Sequence, residues 1–461
     1  MSPEAFRMAG PGASVSEGQN APAQPAQQTC RHRLPAGIAA VVLTAAIVVV
    51  GIEELGKGHS SPSPPPSPPL RTTTLRPKST TSIASVDYEC VSELDIGEVV
   101  NASQKGMAVD DTTFHSCSDR VPGHWPNSPT RLGSLRLFKA WDPNWPEDDR
   151  PAAWNKLKVM VQRGKVRVLV GTQITCNETE DDKDWALVRE LLALLGPEHV
   201  MAIAVGNELE LLQFKGEKTV PASCVKEVWE GGYFYRKFVE RVEDLNDLKG
   251  FEDVRFTSVF GGYVLAGSPF IDIPQAKVLT FLKNVTGVYG DRWIFSLNVY
   301  PYFDPNNRLD PNSTTQCQKA LEKSLCMDEG CLLPSTTSQM RKSMEKLTSE
   351  ATQLWLTETG WSYPQAASLP GANSAMAKCK NFSSEIAFRT YYQNFLKWDL
   401  TIGKERGPDH AFFFTLRDAS NFGVGEHFGL IKDCSSSDCK LQDDGRTPRT
   451  PRTPNVEVTW V

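Results

Sequence analysis

Basic residues are not in surplus in this sequence: 49 lysines and arginines face 55 aspartates and glutamates, a net charge of −6. That balance excludes nucleic acid as a partner, because a phosphate backbone is held by a positive field. Histidine is scarce, seven in 461 residues, and no histidine–cysteine pair has the spacing of a zinc site. No glycine-rich loop follows any apolar segment, so the phosphate grip of a doubly wound nucleotide-binding sheet is missing. Internal repeats are absent apart from the short "RTPRTPRTP" at 446–454. Of the 11 cysteines, only Cys30 lies within the first fifty residues.

What is present begins with one long apolar run. Leu34–Ile52 is 19 residues without a charge, roughly 28 Å as a helix, which matches the hydrocarbon thickness of a bilayer. Arg31, His32 and Arg33 precede it and Glu53 and Glu54 follow, an asymmetry that keeps the N-terminal side in the cytosol. A cleaved signal peptide is the competing reading. The run, however, exceeds an h-region of about 7–15 residues and starts deep in the chain. The expected organisation is a single-pass type II membrane protein. A disordered cytosolic tail (1–33) leads to a transmembrane signal-anchor (34–52) and a Pro/Ser/Thr-rich stalk (53–85). A folded domain (86–440) and a disordered tail (441–461) lie extracellularly or in the secretory lumen. The other ten cysteines form an even set there, where disulfides persist. Five N-x-S/T sequons (Asn101, Asn177, Asn284, Asn312, Asn381) also fall after the anchor, as suits a glycoprotein surface.

Within 86–440 short apolar segments alternate with amphipathic ones. "SLRLF" (134–138), "VRVLVG" (166–171), "MAIAV" (201–205), "FTSVF" (256–260), "WIFSLNVY" (293–300), "QLWLTE" (353–358) and "HAFFFTL" (410–416) read as strands. Segments 182–196, 275–285, 338–350 and 384–398 carry apolar residues at three- and four-residue steps and read as helices. Repeated strand–helix alternation means a parallel sheet. Roughly 350 residues with eight such units fit a (β/α)8 TIM barrel, with an eighth strand expected, but not placed, in 86–125.

Barrel chemistry sits at the C-terminal ends of the strands. Two of those ends carry glutamates: Asn207-Glu208 after "MAIAV", and Glu358 in "TETGW" (357–361). A glutamate after a strand is often only a helix N-terminal carboxylate. A second one in the same context three units later shifts the balance toward paired carboxylates. Retaining glycoside hydrolysis needs such a pair, one to protonate the leaving oxygen and one to attack the anomeric carbon. Aromatic rings and amides around them suit sugar faces and hydroxyls.

"VGNE" (205–208), "NVYPYF" (298–303), "TETGW" and "GEHFGL" (425–430), in this order, resemble glycoside hydrolase family 17. These are the endo-β-1,3-glucanases and β-1,3-glucanosyltransferases, barrels with catalytic glutamates on strands four and seven. The resemblance implies Glu208 as general acid/base and Glu358 as nucleophile. It further implies Asn207 on the sugar 2-hydroxyl, Tyr300 and Asn298 beside the nucleophile, Phe303 and Trp361 lining subsites, and Glu426 as a substrate-binding acid. Asp418 is expected among the substrate-binding residues, although Arg417-Asp418 stand where the family places an acidic pair, with Asn421 near its lysine position. The segments 213–232 and 305–331 are long for barrel loops and carry four cysteines, as a stapled rim or as surface decoration. The expected partner is a β-glucan polysaccharide or oligosaccharide, and this chemistry calls for no metal or organic cofactor. Hydrolysis, glucanosyl transfer and catalytically silent glucan binding all remain open at this level.

Overall fold

The computed structural model describes residues 90, 94, 96–214, 220–266, 277–302, 314–348, 352–363, 379, 383–419, 427–435 and 439–441. The tail 1–33, the anchor 34–52, the stalk 53–85 and residues 442–461 lie outside them, as do Phe303, Asn421, Glu426 and the sequons at Asn312 and Asn381. Among the described residues no helix is long and apolar enough to cross a membrane.

Eight parallel strands close into a barrel: β1 (Lys105–Val109), β2 (Ser134–Leu137), β3 (Arg167–Thr172), β4 (Val200–Asn207), β5 (Arg255–Gly261), β6 (Ile294–Asn298), β7 (Gln353–Thr359) and β8 (His410–Phe413). Each pairs with its neighbours in sequence, and β1 pairs with β8 through Lys105↔Ala411 and Met107↔Phe413 to complete the ring. Strands covered on both faces read as unbroken apolar runs, and β4 is buried from Val200 through Gly206. The lumen is filled by Leu169, Met201, Ala204, Val259, Ile294, Trp355 and Phe412.

Helices α1 (Asp111–Ser116), α2 (Arg150–Gly164), α3 (Glu178–Leu195), α4 (Ala222–Trp229), α5 (Tyr233–Asp247), α6 (Tyr263–Ala266), α7 (Val278–Tyr289), α8 (Thr314–Leu325), α9 (Leu332–Met344) and α10 (Glu385–Lys397) follow the strands. Capping sets their starts. The Asn177 side chain accepts the Glu180 amide at the head of α3, and Ser384 accepts the Ala387 amide at the head of α10. In α10 Phe388, Tyr391, Tyr392 and Phe395 face the barrel at helical spacing.

The eighth strand of the sequence reading is β1, "KGMAV". Its signal is hidden because it opens on a lysine and a glycine, both dictated by packing. A Cβ at Gly106 would come within 2.3 Å of Ser134 Oγ and 2.5 Å of the Phe412 ring. The fully buried Lys105 donates to the carbonyls of Val100 (2.7 Å), Leu396 (2.9 Å) and Trp398, fastening β1 to the C-terminus of α10. Lys105→Met leaves the buried carbonyls of Leu396 and Trp398 and the part-buried one of Val100 without this donor. It is expected to lower the unfolding free energy by about 3 kcal/mol, read from denaturant titration.

All ten described cysteines are paired. Cys90–Cys439 and Cys117–Cys434 join the start of the domain to its end. Cys176–Cys224 ties the loop after β3 to α4, Cys317–Cys379 ties α8 to the segment after β7, and Cys326–Cys331 is local. The two long segments are therefore stapled at the C-terminal face of the barrel. That is the face on which the glutamates emerge.

Candidate active site

The strand ends that carry the glutamates are irregular, and the irregularity aims the side chains. Pairing of β4 with β5 slips between Ala204 and Asn207, and pairing of β6 with β7 slips at Asn298, which then lies opposite Glu358. Gly206 (φ 78°) and Glu208 (φ 50°) are left-handed on either side of Asn207. For glutamate that conformation costs about 1–2 kcal/mol. It is held by the Glu208 amide, which donates to the Val259 carbonyl at 2.8 Å.

The two carboxylates have unlike surroundings. Glu358 is buried and both of its oxygens are engaged: Oε1 accepts from Arg136 Nη1 at 2.7 Å, and Oε2 accepts from the Tyr300 hydroxyl. A cation and a phenol fix its two oxygens, as a positioned nucleophile requires. Glu208 is half-buried, and its Oε1 accepts from the neutral amide Asn298 Nδ2 at 3.0 Å. A carboxyl that faces an amide can carry a proton and give it up.

Asn298 links the two. Its Oδ1 accepts from Thr357 Oγ1 (2.9 Å) and Arg136 Nη1 (3.3 Å), which turns its NH2 toward Glu208. Arg136 also fixes the neighbouring amide: Nη2 donates to Asn207 Oδ1 at 2.7 Å. With its oxygen so occupied, the exposed Asn207 presents its NH2 as the donor for a hydroxyl. Phe138 supports the guanidinium from below, with Arg136 Cζ 4.4 Å from its ring centroid.

Five residues expected from the sequence thus meet in one network: Asn207, Glu208, Asn298, Tyr300 and Glu358. Two further expected residues stand outside this network. Trp361 is wholly buried, with its ring edge-on to Tyr302 at 5.3 Å and tilted against Tyr391, where it braces the wall. Asp418 is not in the network. Its carboxylate binds Lys440 at 2.5 and 2.6 Å and accepts the Gly429 amide at 2.9 Å, clamping the end of the domain. Its neighbour Arg417 is fully buried: its backbone amide donates to Asp110 Oδ2 at 2.8 Å, and its Nη1 donates to Thr113 Oγ1 at 3.5 Å and to the Arg120 carbonyl at 3.4 Å. Phe303 and Glu426 lie outside the described residues.

Arg136 and Phe138 escaped the sequence reading. The available signal was a lone arginine inside the apolar "SLRLF": a charge within a buried strand needs a buried counter-charge. Arg136→Met removes that counter-charge from Glu358. It is expected to lower kcat/KM about 100-fold and unfolding stability by about 3 kcal/mol, both measured on the purified variant.

Beside the network lies a small cavity of about 120 Å³, lined by Arg136, Phe138, Gln173, Ile174, Asn207 and Leu209 among others. Asp184 shapes it from behind, accepting from Thr172 Oγ1 and the Gln173 amide (3.0 Å). Burial pushes its carboxyl up to about 6. Across the network, Phe138, Phe414, Phe428, Tyr300 and Tyr302 pack edge to face into an aromatic wall. Among the described residues no group of three or more His, Cys, Asp or Glu side chains is placed to hold a metal ion.

No protein-family model matches the chain, and no curated protein matches it as a relative. Among solved structures it is similar to a β-1,3-glucanase and allergen of Cryptomeria japonica pollen. The identity is 16%, the match covers 71% of this chain and 95% of that one, and the TM-score is 0.45. It is also similar to the glycoside hydrolase family 17 β-1,3-glucanosyltransferase of Rhizomucor miehei, at 12% identity over 68% and 86% with TM-score 0.37. A third is a family 1 β-glucosidase of Thermotoga maritima, at 12% identity over 77% and 97% with TM-score 0.38.

Proposed function

We propose that this chain is a retaining glycosidase that cleaves β-1,3-glucan by double displacement, with Glu358 as nucleophile and Glu208 as general acid/base. The observation that carries the reading is the unlike environment of the two strand-end glutamates. One is fixed between Arg136 and Tyr300, and the other faces the neutral Asn298 amide. In the first step Glu358 attacks the anomeric carbon while Glu208 passes its proton to the departing oxygen. In the second, Glu208 takes a proton from water, and that water opens the glycosyl ester. Asn207 donates to the 2-hydroxyl, a contact that strengthens as positive charge develops on the ring. The β-1,3 linkage rests on the sequence resemblance of the four motifs.

The setting belongs to the same proposal. The domain works in an oxidising compartment, which the five disulfides support. Leu34–Ile52 anchors it to the membrane, a reading that rests on the apolar run and its flanking charges.

The test is a digest of β-1,3-, β-1,4- and mixed-linkage glucans, with proton NMR following the first sugar released. The expected result is cleavage of the β-1,3-glucan with the β-anomer appearing first. No cleavage of any glucan, or an α-anomer first, contradicts the reading. Products longer than the substrate would identify transfer to a sugar hydroxyl in place of water.

A further inference from the structure

Behind Glu208 lies a second carboxyl that the mechanism above does not use. Glu210 sits in the 3-10 turn Leu209–Phe214 directly after β4 and is fully buried. Its Oε1 accepts the backbone amide of Gly261, the last residue of β5, at 2.6 Å. Among the described residues its Oε2 has no hydrogen-bond partner, and neither does the buried hydroxyl of Tyr263. The two side chains pack against the same glycine. A Cβ at Gly261 would lie 2.7 Å from the Tyr263 ring and 3.2 Å from Glu210 Oε1. No described cation pairs with Glu210. The ionisable groups facing it are Glu208 on its own turn and Tyr263 from α6 after β5.

A buried carboxyl with one oxygen on an amide, the other on nothing and no cation nearby is tolerated only in its neutral form. In that form it joins the turn that carries Glu208 to the next strand. The join lies beside the Glu208 amide bond to Val259, on the same β4–β5 seam. We propose that Glu210 is a positioning residue for Glu208: as a neutral acid it clamps the left-handed turn to β5, and loss of its proton releases the clamp, because a charge with no cation beside it is driven out of the buried seat even though its oxygen could still accept from Gly261. This rests on the reading of Glu208 as the acid/base.

Burial pushes the Glu210 carboxyl well above the ordinary carboxylate range, and the charge on Glu208 adds to the push, while the Gly261 amide opposes it. An acid whose folded value is raised contributes stability at pH below its unfolded value. That stability is lost as the pH rises through the folded value. The clamp therefore holds on the acid side and fails on the alkaline side.

Three forms of the full chain test this: wild type, Glu210→Gln and Glu210→Ala. Glutamine keeps the acceptor for Gly261 and cannot ionise. Glu210→Ala is expected to lose kcat at least 10-fold across the pH range with KM within about 2-fold. Glu210→Gln should recover most of that loss, and its activity should persist to higher pH than that of wild type. Independently of activity, the melting temperature of Glu210→Gln should gain on wild type by at least about 2 °C from acid to alkaline pH. An alkaline limb of Glu210→Gln coincident with wild type, or equal losses in both variants, overturns the proposal. If wild type turns over no glucan, the catalytic reading fails instead, and the melting-temperature gap alone decides the clamp.

Discussion

Glu358→Gln is expected to abolish turnover, lowering kcat on β-1,3-glucan by on the order of 10⁴-fold. The amide is the same size as the carboxylate but cannot attack the anomeric carbon. It also cannot answer the charge of Arg136, which donates to Glu358 Oε1 at 2.7 Å in a pair that is nearly inaccessible to water. The loss should appear in kcat and kcat/KM together, because the carboxylate acts in the transition state rather than in binding. Folding should survive, since one amide oxygen still accepts from Arg136 or Tyr300. Circular dichroism and the melting curve check that. A Glu358→Gln enzyme within 10-fold of wild type would remove the nucleophile from its assigned position.

Glu208→Gln carries the second large effect, and its pattern separates an acid/base from a merely structural carboxylate. With a glucan, whose leaving alkoxide needs a proton, the first step should slow by on the order of 10³-fold. With an aryl glycoside carrying a strongly acidic phenol, that step needs no proton and should be nearly spared. Breakdown of the glycosyl-enzyme then becomes limiting, because no base activates water. In Glu208→Ala the space also admits a small anion, so azide should restore turnover and yield the β-glycosyl azide. Equal losses on both substrates, with no azide effect, would mean that Glu208 does not transfer the proton. The Asn298 amide, which donates to Glu208 Oε1 at 3.0 Å, loses its carboxyl acceptor in both variants and contributes a smaller, substrate-independent part.

The barrel was legible where burial on both faces writes an apolar run, as in "MAIAV" and "HAFFFTL". It was hidden at β1, where Gly106 yields its side-chain volume to Phe412 and Lys105 is buried to reach three carbonyls. Both residues weaken a strand signal, and both are set by neighbours roughly 300 positions away in the sequence. The carboxylates were legible because a polar residue at the end of a buried strand is conspicuous. Which polar neighbours belong with them was not, because partners come from elsewhere in the fold. Asp418 looks like a strand-end acid of the same kind until Lys440, 22 positions on, takes both its oxygens. Trp361 looks like a sugar platform in the sequence, and the fold packs Tyr302 and Tyr391 around it. Arg136 is the converse, a residue inside an apolar strand whose importance shows only when β2, β4, β6 and β7 are brought around one lumen.

Covalent trapping tests the central claim most directly. A 2-deoxy-2-fluoro-β-glucoside with a good leaving group lets the first displacement proceed and stalls the second. Incubated with the protein and read by intact mass and peptide mapping, it should add one fluoroglycosyl unit on the peptide that contains Glu358. The same treatment of Glu358→Gln should add none. An enzyme that turns over glucan yet never carries the label, or carries it on another residue, would contradict the account.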